Sequence, residues 1–234
     1  LYFSFLARRG FPLLFPDEKN GPYAIAHNGN ITNAAHLRRD LESSGTAFRT
    51  TSDTEVIPHY LLRMWSGYDF PARLALTLQM MKGAFSLLVL TPDCIAAVRD
   101  AHGFRPLVMG FLDGAVVFAS ETCAFDLVGA KYEREIEPGE MLVVDRKNAV
   151  SFHPFNIEDP RHCVFEHVYF ARPDSIVFGA NAYQVREALG RKLAREHEVL
   201  ADIVVPVPDS GVPAALGFSQ QSRIPFGKGL LRNH

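Results

Sequence analysis

The stretch GAFSLLVLTPDCIAAVR, residues 83–99, decides the fold class. Phe85 to Leu90 and Ile95 to Val98 are predominantly apolar, and Thr91-Pro92-Asp93 between them has the composition of a turn. Two strands joined so closely form an antiparallel hairpin. The pattern recurs downstream, where Leu107 to Phe111 and Ala115 to Ala119 flank the hairpin turn Asp113-Gly114. Met141 to Val144 adds a strand after the turn Glu137-Pro138-Gly139-Glu140. Hairpins with the helices held apart predict an antiparallel α+β layered domain rather than a doubly wound sheet.

Upstream, Tyr23 to Ala26 reads as a buried strand that stops at the tight-turn sequence Asn28-Gly29-Asn30. A helix is expected next, with Asn33 as N-cap, Leu37 and Leu41 on one face and Gly45 at its end. Ser52-Asp53-Thr54-Glu55 reads as a capping box opening an amphipathic helix through Val56, Ile57, Tyr60, Leu61 and Met64. Pro58 should kink that helix or loosen its first turns. After the second hairpin, Ser120 is expected to cap a short helix with Glu121 in its first turn.

The composition changes near Phe152 to His162, richer in His, Pro and polar residues, which marks a domain boundary. Beyond it Tyr183 to His197 reads as a helix with Val185, Leu189 and Leu193 inward. Ile203 to Val207 then reads as a strand leading into Pro208-Asp209-Ser210-Gly211, with a helix at Ala214 to Ser219. Strand, small-residue turn and helix are the opening of an α/β unit. The expected division is residues 1–160, a first domain incomplete at its start, and 161–234, a second domain cut short.

With 234 residues, 47% of them apolar, the chain can bury a sizeable core. A net charge of -2, from 24 basic and 26 acidic residues, provides no electrostatic footprint for nucleic acid or an anionic membrane, so a small polar substrate is expected. Cys94, Cys123 and Cys163 make neither a disulfide framework nor a zinc ribbon, which fits a reducing compartment. No run approaches the roughly 18 apolar residues of a membrane span, and Leu1 to Leu6 is too short for a signal peptide, so a soluble protein is expected.

Read residue by residue, the polar candidates each have an ordinary explanation beside a chemical one. Asn28-Gly29 is a turn, or a side-chain amide and an adjacent backbone N–H aimed at one oxyanion. Asp53 is a carboxylate at a helix start, or a receptor for a substrate ammonium group. The run Arg99 to Pro106 reads as an internally bonded loop more readily than as a setting for catalysis by His102. Cys94 and Cys123 behave as small core hydrophobes, and Cys163 stays undecided between structure and chemistry.

Taken together, PYAIAHNGNITN, TTSDTEVIPH, MKGAFSLLVL, AVRDAHGFRPLVMG, VVFASETCAFDLVGAKYEREIEPGEMLVVD, CVFEHVYFARPDS and VVPVPDSGVPAALGFSQQSRIPFGKGLLRNH resemble the glutamine phosphoribosylpyrophosphate amidotransferases, in the family's order and over about residues 12 to 234. The resemblance implies an N-terminal-nucleophile glutaminase, a four-layer α-β-β-α sandwich, followed by the beginning of a type I phosphoribosyltransferase domain. It implies the first step of purine synthesis. An N-terminal cysteine attacks glutamine, and the ammonia displaces pyrophosphate from phosphoribosylpyrophosphate to give 5-phosphoribosylamine and glutamate.

On this resemblance Asn28 and Gly29 match the oxyanion-hole pair, and Asp53 the acid that binds the glutamine α-amino group. Ser210 matches a position at the Mg²⁺–phosphoribosylpyrophosphate site. Cys163 matches one ligand of a [4Fe–4S] cluster found in one branch; its other ligands would lie beyond His234, and cluster-free members share this cysteine. The resemblance also implies a homo-oligomer inhibited by purine nucleotides, in the cytoplasm or, for a plant, the plastid stroma.

Departures accompany the match. Residue 1 is Leu where the family has its nucleophilic Cys, and the arginine that grips the glutamine carboxylate is missing, as is the strand ending in two Asp that binds phosphoribosylpyrophosphate. Arg8-Arg9-Gly10 running into Phe11-Pro12-Leu13 reads as a join between pieces not contiguous in the family, so the expectation is an incomplete record of a longer enzyme. The alternative is an inactive regulatory or scaffold relative. Glucosamine-6-phosphate synthase and asparagine synthetase share the Asn-Gly and Asp-Thr-Glu features but should not continue into RDAHGFRPL and PVPDSGVPAALG.

Overall fold

Successive side chains on a strand face opposite ways, and in a computed structural model of the chain both faces of the central strands are covered. The structure describes residues 13–16, 21–64, 67–156 and 158–232. The apolar start at Leu1 to Leu6 and the join at Arg8 to Pro12 lie outside them.

In chain order the elements up to residue 120 are β1 (Leu13–Phe15), β2 (Tyr23–Ile31), α1 (Ala34–Ser43), α2 (Val56–Arg63), α3 (Phe70–Gln79), β3 (Gly83–Leu90), β4 (Cys94–Arg99), β5 (Val108–Leu112) and β6 (Ala115–Ala119). They continue with α4 (Cys123–Val128), β7 (Lys131–Glu135), β8 (Met141–Asp145), β9 (Ala149–Phe152), β10 (Ile176–Val177), β11 (Ala180–Asn181), α5 (Ala182–Glu196) and α6 (Val212–Ser222). The chain divides into two compact units. The first takes the residues up to Ser120 and Ala130–His162; the second takes Glu121–Gly129 and Cys163–His234. The second unit therefore includes α4, a segment that the division at residue 160 leaves with the first.

In the first unit an antiparallel sheet runs β1-β2-β3-β4-β8-β9, and a smaller one runs β6-β5-β7. Leu87 and Val89 of β3, Ala96 and Val98 of β4 and Met141 of β8 meet Leu37, Leu41, Ile57, Leu61, Leu74 and Leu78 of the helices. The alternate residues Leu88, Ala97, Leu142 and Val144 pack with Leu107, Met109 and Val116 on the smaller-sheet side. Helices, large sheet and small sheet are thus stacked in that order, in an α+β architecture. The central strands are continuously apolar because both faces are buried.

Both hairpins form where the sequence places them, β3–β4 and β5–β6. Several local expectations change. β2 does not stop before Asn28 but runs to Ile31, pairing Asn28 with Ser86 and Gly29 with Phe85. Asn33 sits at the N-cap position of α1 without capping it; its amide accepts from Lys82 N and donates to the Met80 carbonyl, both at 2.9 Å. Ser52 does cap, accepting from Thr54 N at 3.3 Å. Glu55 turns instead to Arg49 N and Thr50 N, at 2.7 and 2.8 Å, so the reciprocal half of the capping box is not made. Pro58 lies in the first turn of α2, where its missing N–H leaves no intrahelical bond unmade, and its carbonyl accepts from the Tyr23 hydroxyl at 3.2 Å.

In the second unit, α4 starts after Thr122 rather than Ser120, because Glu121 and Thr122 are engaged elsewhere. Glu121 accepts from Ser175 Oγ at 2.7 Å and Arg172 N at 2.8 Å, and Thr122 Oγ1 accepts from Ile176 N at 2.9 Å. The inward face of α5 is Ala182, Arg186, Gly190 and Ala194, while Leu189 and Leu193 are half-exposed. Ile203 to Val207 is not a regular strand: only Val204 pairs, through one parallel bridge to Phe226. A helix, α6, connects the two partners of that bridge, which is the α/β crossover expected there.

Candidate active site

The site is built along the last residues of β2. Gly29 is exposed, yet a Cβ on it would fall 2.0 Å from the Ala84 carbonyl oxygen and 2.7 Å from His27 Nε2, so the close approach of β3 demands glycine. Next to it the Asn28 amide has both ends engaged. Oδ1 accepts from Arg105 Nε at 3.1 Å and Nη2 at 3.0 Å, and Nδ2 donates to Ser120 Oγ at 3.4 Å. Asp53 Oδ2 accepts from Ile31 N at 2.7 Å. Asn28 and Asp53 are therefore anchored on one strand three positions apart, at roughly 3.3 Å per residue.

Behind them His27 is buried, its Nδ1 2.8 Å from Thr54 Oγ1. Burial pulls the His27 imidazole below its ordinary value, against the upward pull of Asp53. A neutral ring behind the strand leaves the local charges to Asp53 and Arg105.

The loop from Arg99 to Pro106 is internally bonded, as its composition suggests. Asp100 accepts from Phe85 N, His102 N and Phe104 N at 3.1, 3.0 and 3.2 Å. The Arg99 guanidinium donates to the carbonyls of Arg105, Gly103 and Ile136 at 2.9, 2.9 and 2.6 Å. His102 Nδ1 is 3.1 Å from the Asp159 carbonyl oxygen, a structural contact. The residue of this loop that reaches the site is Arg105, which in the sequence is only part of a polar turn. Its partner lies 77 positions away, so no local spacing signals it.

The remaining candidates lie in the second unit. Ser210 is half-buried in the turn before α6, beside an apolar groove lined by Tyr169, Leu189, Leu193, Ala214 and Phe218. Cys163 is half-buried, its carbonyl accepting from Glu166 N at 3.1 Å. Among the described residues no group of three or more His, Cys, Asp or Glu is arranged to hold a metal ion. A lone hydroxyl and a lone thiol do not by themselves fit a Mg²⁺ site or a cluster with four thiolate ligands. Cys123 is buried, and burial pushes its thiol up, away from thiolate character. No helix among the described residues is long and apolar enough to cross a membrane.

The chain is similar to known proteins over most of its length. Residues 12–126 match the family model of a glutamine amidotransferase domain. The chain is 50% identical over 215 residues to a chloroplastic amidophosphoribosyltransferase of Vigna aconitifolia, covering 92% of this chain and 44% of that protein. It is 45% identical over 234 residues to the amidophosphoribosyltransferase of Rhizobium etli, covering 98% and 47%. Among solved structures, the glutamine phosphoribosylpyrophosphate amidotransferase of B. subtilis in complex with ADP and GMP superposes with a TM-score of 0.89 at 42% identity, covering 95% of this chain and 49% of that one. The chain spans about half the length of these relatives. Over more than nine-tenths of its own length the chain is similar to the amidophosphoribosyltransferases, and residues 12–126 carry the match to a glutamine amidotransferase domain.

Proposed function

We propose that the first unit binds glutamine and stabilises the hydrolysis of its side-chain amide, within a protein that passes the ammonia to phosphoribosylpyrophosphate to form 5-phosphoribosylamine in purine synthesis. One observation carries this reading: the Asn28 carboxamide has its carbonyl oxygen held by Arg105, which leaves its NH₂ as the end that can donate, and Asn28 precedes the exposed Gly29 on the strand that also anchors Asp53. Nucleophilic attack on a carboxamide puts negative charge on its oxygen. Asn28 Nδ2–H and the Gly29 backbone N–H are the donors for that charge, and they stabilise the tetrahedral intermediate more than the ground-state carbonyl. The Asp53 carboxylate pairs with the substrate ammonium and fixes the amide's distance from the donors. As the intermediate collapses the C–N bond breaks, the protonated nitrogen leaves as ammonia and the glutamyl group stays bonded to the attacking nucleophile; water then hydrolyses that acyl bond, freeing glutamate and the nucleophile.

The second unit, with its parallel bridge and crossover helix, supplies the opening of the phosphoribosylpyrophosphate-using domain, with Ser210 facing that substrate. Mg²⁺ would enter there with the pyrophosphate, and a cluster at Cys163 would need ligands from elsewhere. ADP and GMP bound to the B. subtilis relative support purine nucleotides as regulators of the whole protein. The chloroplastic and bacterial relatives support a plastid stroma or cytoplasm as its location.

The test is Asn28→Ala in the complete protein. Glutamine-dependent synthesis should fall about 10²–10³-fold, the usual effect of removing one oxyanion donor, while ammonia-dependent synthesis holds. Equal loss of both activities would remove Asn28 from this role.

A further inference from the structure

We propose that Arg105 is a positioning residue for glutamine hydrolysis: it determines which end of the Asn28 carboxamide faces the substrate. The proposal rests on the reading of Asn28 as an oxyanion donor. A carboxamide can sit in its pocket in two orientations related by a half-turn, one presenting N–H and the other a carbonyl lone pair. Only the first stabilises an oxyanion; the second repels it.

The choice between them needs a neighbour that can act in only one sense. Ser120, 3.4 Å from Nδ2, cannot make it, because a hydroxyl both donates and accepts. A guanidinium has donors alone. Arg105 directs Nε and Nη2 at one atom of Asn28, at 3.1 and 3.0 Å, and that atom must be the carbonyl oxygen. Its positive charge also polarises the amide, strengthening the N–H at the opposite end as a donor.

Arg105 is itself held in place. Its backbone carbonyl accepts from Ser86 Oγ at 3.0 Å and Arg99 Nε at 2.9 Å, and Asp100 ties the loop to Phe85 N on β3. Ser86 is the β3 residue paired with Asn28, so the loop and the amide share one scaffold.

The test is a series at position 105 in the complete protein, reading glutamine-dependent and ammonia-dependent rates. Arg105→Lys keeps a donor-only group and should retain most glutamine turnover. Arg105→Met removes the bias and should lower kcat about tenfold, short of full donor loss. Arg105→Glu offers acceptors alone, turns the amide over, and should cost about 10²–10³-fold, as Asn28→Ala does. KM for glutamine should stay within about twofold throughout, since the interaction matters in the transition state. On an Asn28→Ala background none of the three changes should have a further effect on kcat.

Equal losses for Lys and Glu, or losses that persist in full without the Asn28 amide, would overturn the proposal while leaving Asn28 as an oxyanion donor. Should Arg105→Glu abolish the ammonia reaction as well, the fold has suffered, and the order of Lys above Met decides alone. Unimpaired glutamine turnover in Asn28→Ala itself would sink the oxyanion reading and this proposal with it.

Discussion

At Gly29 even a methyl group has no room, since its carbon would lie 2.0 Å from the Ala84 carbonyl oxygen. Gly29→Ala should therefore force β2 and β3 apart and destabilise the protein by about 3 kcal/mol or more, measured as a lowered thermal or denaturant midpoint. Asp53→Asn is the opposite kind of change. The amide oxygen can still accept from Ile31 N, so stability should hardly move, but the charge that pairs with an ammonium is lost. KM for glutamine should rise about tenfold or more with ammonia-dependent synthesis intact; an unchanged KM would return Asp53 to its role at the helix start. How far these proposed roles are legible in the sequence differs by residue. Asn28, Gly29 and Asp53 have ordinary local explanations, and only the resemblance of long strings singled them out. Arg105 acts across the sheet pairing of Asn28 with Ser86, a relation that exists only once the strands are in register.

Among the elements, the hairpins β3–β4 and β5–β6 were readable because strand composition and turn chemistry agree. The end of β2 is not legible in the sequence because Asn28-Gly29-Asn30 has turn composition, and pairing with β3 overrides that propensity. α3 went unread although Asp69 caps it, accepting from Ala72 N at 2.9 Å, with Pro71 in its first turn. On α5 the leucine stripe pointed to the wrong face. Small residues make the real contact: a Cβ on Gly190 would meet the Ala214 carbonyl oxygen at 1.8 Å, and one on Gly217 the Glu187 carbonyl oxygen at 2.0 Å. Such close helix packing leaves no apolar signature in the sequence. Gly190→Ala should thus destabilise the second unit, although alanine is the better helix former by about 1 kcal/mol. Hydrogen exchange in α5 and α6 would show it. Leu41→Ala, fully buried on α1, should cost about 2–5 kcal/mol, and Leu193→Ala, half-exposed, much less.

For the whole molecule the titrating groups give stability a direction with pH. Burial lowers the pKa of His27, His59 and His167, so the unfolded chain takes up protons near pH 6.5 that the folded chain refuses. Their contribution is complete above that value and is lost as pH falls through it, with a slope of up to about 1.4 kcal/mol per pH unit for each group. Glu55 and Glu140, held below the usual range by hydrogen bonds despite burial, extend the loss to lower pH. The unfolding midpoint should drop between pH 7.5 and 5.5, and His27→Gln should flatten that part of the curve; an unaltered slope would mean that His27 binds its proton equally in the folded and unfolded chain.

The placement of α4 bears on how the protein can be taken apart. The chain enters the second unit at Glu121, leaves it at Ala130 and returns at Cys163. A protease cutting once between residues 158 and 161 would nick the polypeptide without halving it, because α4 remains covalently part of the first fragment while Glu121 and Thr122 hold Arg172, Ser175 and Ile176 of the other. The same reasoning applies to expression in pieces. Residues 163–234 alone would leave the partners of Glu121 and Thr122 unsatisfied, whereas adding the 121–129 peptide should restore protection there, so the second unit is one folding body written in two separate stretches of sequence.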